Sequence, residues 1–174
     1  MSLIVEDGTG KSDAESYISV ADADTYHANI GNAAWPLLSS TVREQLLRKA
    51  TFFMLGRYRL RWDGSRKTIT QNVDWPRSLC PIKDAPNFHG SSASYYVDTI
   101  VPSPVANACA SLALRAATAD LLADETRAKI SVSVGQISTS YDPYSPVARQ
   151  YKEIDAMLAP YLKNNGKTVP MVRV

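Results

Sequence analysis

Cysteine and histidine are scarce in this 174-residue chain, with two of each, and no apolar run approaches membrane-spanning length. Two cysteines, Cys80 and Cys109, cannot build a disulfide framework. Cys109 falls on a predicted helix face and is expected to be a small buried hydrophobe. A bilayer span needs about 20 consecutive apolar residues, and none occurs. The first 16 residues, MSLIVEDGTGKSDAES, are acidic and carry no apolar h-region, so no signal peptide is expected. His27 and His89 stand outside any H-E-x-x-H arrangement, and C-x-x-C and G-x-S-x-G are missing too. The expectation is therefore a protein that is not an enzyme, with no catalytic residue, no metal and no cofactor. Asp24 and His27 have a spacing that could hold a metal, but no second His or Cys lies near them in sequence. GTGKS at 8–12 is an incomplete phosphate loop, because Val5 stands where the pattern needs its first glycine; a flexible turn is expected.

Net charge is also low, +2, so the whole chain is not a polycation. The charge is nonetheless uneven. Eight of the 19 bases lie between positions 43 and 67, and six of the 17 acids lie in the first 24 residues. An acidic start and a basic middle can meet between neighbouring copies, and head-to-tail contacts of that kind close into rings when the rotation allows. They can equally neutralise each other within one fold.

What is present is helical periodicity. Residues 41–62, TVREQLLRKATFFMLGRYRLRW, place Leu47, Ala50, Met54 and Tyr58 on one stripe, widened by Leu46 and Phe53. Ser40 or Thr41 is expected to cap this helix, with Glu44 at capping-box spacing from Thr41. Its second half turns basic and aromatic through Arg57, Tyr58, Arg59, Arg61 and Trp62. Arginines there could contact phosphates while Tyr58 or Trp62 stacks on bases. Tyr58 also fits the core stripe.

Ser19 is expected to cap a helix ending near Ile30, with Gly31-Asn32 as its stop and Trp35 anchoring the next turn. Residues 68–73 read as a strand, and 78–101 as a long connection without periodicity. Ser103-Pro104 starts a helix expected to run to about Asp124, and Ser145-Pro146 starts a last one that Pro160 ends or kinks. Residues 128–141 alternate like a β-hairpin. The fold class expected is mainly α: four helices, a small β-hairpin and extended termini. An N-terminal arm occupies 1–18, a helical domain 19–163 (with the 78–101 insertion and the 128–141 β element), and an apolar C-terminal tail 164–174.

The opening LIVEDGTGKSDAESYISVADADTYHA, the Trp35 turn, LLRKATFFMLGRYRLRW, the stretch from Gln71 to Trp75-Pro76-Arg77, and residues 102–122 together resemble a family of tailed-phage and prophage proteins. That family is labelled DnaT-like single-stranded-DNA-binding, and it is similar to the head–tail adaptor, or head-completion, proteins of long-tailed phages. The resemblance covers nearly the whole chain. It implies a four-helix, adaptor-type bundle in the virion neck between capsid and tail, assembled in the host cytoplasm. It further implies a ring, usually of twelve copies, below the portal protein. Genomic double-stranded DNA would pass through the ring, and a neck or tail-terminator protein would dock beneath it. On that reading Val169, Met171, Val172 and Val174 dock on the portal or another partner, and Arg57, Arg59 and Arg61 meet Glu6 and Asp7 of a neighbouring copy. The DnaT-like label implies instead a single-strand binder, using Arg57, Arg59, Arg61 and Trp62.

Overall fold

The computed structural model describes residues 2–85, 94–122, 129–133, 138–141 and 150–163, with 129–133 and 138–141 described by their backbone alone. Its described part is mainly helical: α1 (Val20–Asn29), α2 (Ser40–Tyr58), α3 (Ser103–Ala116) and α4 (Lys152–Leu158). Two antiparallel strand pairs accompany them: β1 (Ser65–Arg66) with β2 (Arg77–Ser78), and β3 (Lys129–Ser133) with β4 (Ser138–Tyr141). The expected hairpin over 128–141 thus appears as β3 and β4, with Lys129 opposite Tyr141. Short 3-10 turns occur at Trp35–Leu37 and Ala159–Tyr161.

Helix starts follow the sequence closely. Ser19 caps α1 by accepting from the Asp22 N–H, and its stop is Gly31, whose φ of +74° suits a residue without a Cβ. For α2 the cap is Ser39, one position earlier than expected; it accepts from the Val42 N–H.

Helix ends differ more. α2 stops at Tyr58 rather than Trp62. The Arg61 N–H turns back to the Tyr58 carbonyl at 2.8 Å, and the Trp62 indole swings inward to donate to Asp74 at 3.2 Å. α3 stops at Ala116 rather than near Asp124. There the Thr118 N–H and hydroxyl both reach the Arg115 carbonyl, tightening the last turn. α4 begins at Lys152, because Tyr151 has φ −106° and ψ 78°, outside the helical region. Ser145-Pro146 and Val147 lie outside the described residues, as does the tail with Val169, Met171, Val172 and Val174.

The strand expected over 68–73 does not form. Gln71 instead organises this loop from its centre. Its Nε2 donates to the Val73 and Pro76 carbonyls at 2.9 and 3.1 Å, and its Oε1 accepts from the Thr68 N–H at 2.8 Å. One buried amide satisfies the groups that a pairing strand would otherwise satisfy. The 78–101 connection is also more regular than expected. Pro81 bridges Tyr95 antiparallel, and the Tyr96 N–H donates to the Cys80 carbonyl at 2.9 Å.

α3 packs against α2, α1 and α4. Its small residues Ala108, Cys109, Ala110 and Ala113 are buried there, where short side chains let helix backbones approach. Residues 2–18 lie against this core: Ala14 and Tyr17 are buried, and Val5 bridges Ser16. GTGKS forms an ordered turn, not the flexible one expected. The Glu6 carboxylate accepts the N–H groups of Gly8, Gly10 and Lys11 at 2.8–2.9 Å. A carboxylate of the chain itself thus fills the concavity that a phosphate loop would offer to a ligand.

Candidate functional site

The basic, aromatic end of α2 is the region the sequence singles out, and the structure places its residues in two layers. The inner layer is aromatic. Tyr58, Trp62, Trp75, Tyr161 and Tyr96 follow one another with ring centroids 5.9, 5.8, 5.6 and 4.9 Å apart. The Trp62–Trp75 and Trp75–Tyr161 contacts are edge-on, the geometry that ring quadrupoles favour. Tyr58 and Trp62 are both 0% exposed. Neither ring offers a face to a nucleic-acid base, so the stacking role raised for Trp62 is not available in this conformation.

The outer layer is the arginines, and two carboxylates hold them. Asp155 of α4 accepts from the Tyr58 hydroxyl at 2.8 Å and from Arg57 Nη2 at 3.2 Å. Arg61 stands 4.0 Å from the same carboxylate and 5.2 Å from the Tyr58 ring centroid. Asp74 is fully buried and accepts from Arg59 Nε at 2.9 Å and from the Trp62 indole. A buried carboxylate without such partners would be strongly unfavourable. Burial, then the Asp155 contact, pushes the Tyr58 phenol well above its ordinary range, so it stays a donor to that carboxylate.

Arg77 continues the pattern from below. Its guanidinium donates to the carbonyls of Asp63, Gly64 and Asp74 at 2.7, 2.7 and 3.1 Å, which fixes the loop beneath the aromatic layer. The pattern that missed Asp74, Arg77 and Asp155 is simple. They lie far from α2 in sequence and carry no motif.

Glu6 and Asp7 do not reach these arginines within the chain. Glu6 is buried in its own turn, and Asp7 pairs with Lys11 at 2.9 Å and accepts from the Thr9 hydroxyl. The acidic start still meets the basic middle inside one chain, at other positions. Glu15 pairs with Arg48 and Asp24 with Arg43, each at 2.9 Å. Intramolecular neutralisation therefore accounts for part of the uneven charge.

Asp24 also accepts from the Trp35 indole at 2.6 Å, and Trp35 is buried as expected. His27 is buried, within bonding distance of the Ala110 carbonyl and of Asn32. Both residues of the possible metal pair are thus engaged with protein partners. Burial pushes the Cys80 thiol up to about 11 and raises that of Cys109, which disfavours the thiolate a nucleophile or ligand would need.

Large apolar side chains stand on the surface instead. Leu60 is 87% exposed and Ile69 92%, with Phe52 and Leu79 also exposed. An open cavity of about 610 Å³ lies between α2 and the end of α3, lined by Lys49, Phe52, Phe53, Leu121 and Leu122 among others.

No curated protein and no solved structure matches the chain. A family model does match, over residues 1–174, under the description "Putative DnaT-like ssDNA binding protein", and the chain belongs to that family.

Proposed function

We propose that the protein is a structural subunit of a phage neck, a head–tail adaptor of the four-helix type that assembles into a ring below the portal. The observation that carries this reading is the contrast at the end of α2. Arg57 and Arg59 are bonded to Asp155 and Asp74 within the chain, and Tyr58 and Trp62 are buried. Leu60, only one residue beyond Arg59, is almost fully exposed. A surface whose aromatic rings are buried, whose arginines are paired with the chain's own carboxylates and which exposes large aliphatic residues suits protein contacts better than base stacking. The ring would hold about twelve copies, as adaptors of this kind do, and would pass genomic double-stranded DNA to a neck or tail-terminator protein. Val169, Met171, Val172 and Val174 would dock on the portal, and the chemistry is assembly without catalysis. The test is electron microscopy of particles with intact necks, together with mass spectrometry of their proteins. A ring of this chain between capsid and tail is expected. Particles that lack the protein would overturn the assignment.

A second reading is single-stranded-DNA binding, supported by the family description. Arg59 and Arg61 keep 46% and 40% of their side chains exposed, which leaves a cationic edge for a phosphate backbone. It predicts oligonucleotide affinity that falls steeply with salt and drops in Arg59→Ala and Arg61→Ala. Binding that ignores salt, or no binding, would remove it.

A further inference from the structure

Leu79 is held in a conformation and a place that leucine ordinarily avoids. Its φ is +57°, in the left-handed region, and its side chain is 66% exposed. Neither the backbone nor the core calls for leucine here, since glycine or asparagine would meet the turn with less strain. The close turn is real: a Cβ at Gly64 would stand 2.4 Å from the Ser78 carbonyl oxygen and 2.9 Å from the Leu79 carbonyl carbon.

The register that pairs Pro81 with Tyr95 sets Leu79 opposite Val97, and the Ser78 hydroxyl reaches the Asp98 carboxylate at 3.1 Å in the same register. Burial alternates from Leu79 to Cys80 and from Tyr95 to Asp98, as the two faces of a strand pair do. Cys80 is buried and Tyr96 stacks on Tyr161 below, while Leu79, Tyr95 and Val97 are 66, 47 and 59% exposed. The result is an apolar strip on the outer face, with Asp98 bonded to Ser78 at one end of the ribbon and Asp84 two residues past Ile82 at the other.

The chain leaves its described part beside this strip. Lys83, next to Ile82 of the ribbon, pairs with Asp63 at 3.0 Å and donates to the Leu162 carbonyl, one residue before Lys163. Residues 164–174 follow, NNGKTVPMVRV. Asn164-Asn165-Gly166 suits a reversal. The remaining eight residues extend to about 26 Å, longer than the ribbon from 83 to 79, which spans about 13 Å. They are apolar, with Lys167 and Arg173 as cations to set against Asp84 and Asp98.

The geometry points to Leu79, Tyr95 and Val97 as the docking strip for the chain's own C-terminal segment, 167–174. Covalent attachment a few residues away gives that segment a high effective concentration at the strip. The proposal concerns the free chain and stands whether or not the protein is an adaptor; in an adaptor, the segment would leave the strip to meet its partner.

The test uses the full chain carrying Val97→Cys and Val172→Cys, treated at high dilution with a short thiol-to-thiol cross-linker. Cys80 and Cys109 are buried and do not compete. A cross-link within single chains is expected, and adding Leu79→Asp should abolish it. No cross-link, or cross-links only between chains, overturns the proposal, the latter by making a second copy the source of the segment. Amide exchange provides a second measurement. Deleting 167–174 is expected to speed exchange at 94–98 about tenfold. Leu79→Gly relieves the positive φ, so it is expected to keep the melting temperature while speeding exchange at the same amides. Unchanged exchange in a folded deletion variant overturns the proposal.

Discussion

The Tyr58 hydroxyl donates to the Asp155 carboxylate at 2.8 Å, joining residues 97 positions apart. That bond ties the last turn of α2 to α4, and Arg57 reinforces it. Asp155→Ala would leave the buried Tyr58 phenol without its acceptor and take one carboxylate away from Arg57. A loss of about 1–3 kcal/mol in unfolding free energy is expected, measured by urea denaturation. Tyr58→Phe should cost less, about 1 kcal/mol, because it removes both the donor and the need for it. Equal stability of all three proteins would show that α4 is not held through this contact.

Asp74 makes a second, sharper case. Replacing Arg59 with alanine strands a fully buried carboxylate on the Trp62 indole alone. Arg59 is partly exposed, which reduces the effect, and a loss of about 2 kcal/mol is expected. Trp62→Ala should cost about 3–5 kcal/mol by opening a cavity in the aromatic layer. Any DNA-binding loss in these variants must therefore be read beside their thermal melts. A Trp62→Ala protein as stable as the parent would contradict the buried placement.

The turn at 6–11 should fail in a specific manner. Glu6→Ala removes the acceptor for three N–H groups and is expected to cost about 1–3 kcal/mol. Gly8→Ala would put a Cβ 1.8 Å from the Thr99 carbonyl oxygen at a φ of +95°, so it should destabilise as well. Differential scanning fluorimetry checks both. If the turn instead serves an external anion, inorganic phosphate would raise the melting temperature of Glu6→Ala above that of the parent.

Acid should weaken the fold first through His27. Burial lowers its proton affinity in the folded chain below the ordinary value near 6.5. Between those two values the unfolded chain binds more protons, so stability present above pH about 6.5 is lost as pH falls. His27→Gln is expected to flatten that limb in denaturation curves taken from pH 7.5 to 5. Glu15 adds a separate, more acidic limb, because its hydrogen bond to Arg48 lowers its pKa. A His27→Gln protein with the parent's slope across pH 7.5–5 would assign the first limb elsewhere.

Local chemistry was legible in the sequence. Ser19 marks a helix start through its side-chain cap, and Pro104 marks one by its place in the first turn of α3, although Pro102, not Ser103, takes the cap position there and no side chain caps it. Such signals act within three or four residues. The alternation at 129–141 gives strands for the same reason, and the apolar stripe of α2 names its own buried face. The misplaced end of α2 failed where a carboxylate 12 residues on supplied a hydrogen bond. The end of α3 and the strand expected at 68–73 gave way instead to side chains bonding within a few residues of themselves, Thr118 to Arg115 and Gln71 within its own loop. Gln71 satisfied a loop, and Asp74 drew Trp62 out of helical continuation.

Composition and periodicity by themselves determined a mainly helical protein with a concentrated run of arginines after residue 56. Whether those arginines face solvent was decided only when the chain folded back. Asp155 and Asp74 then stood within 4 Å of them. Charge pairing depends on separation in space, and two carboxylates 15 and 98 residues away from their arginines leave no periodic trace in a sequence.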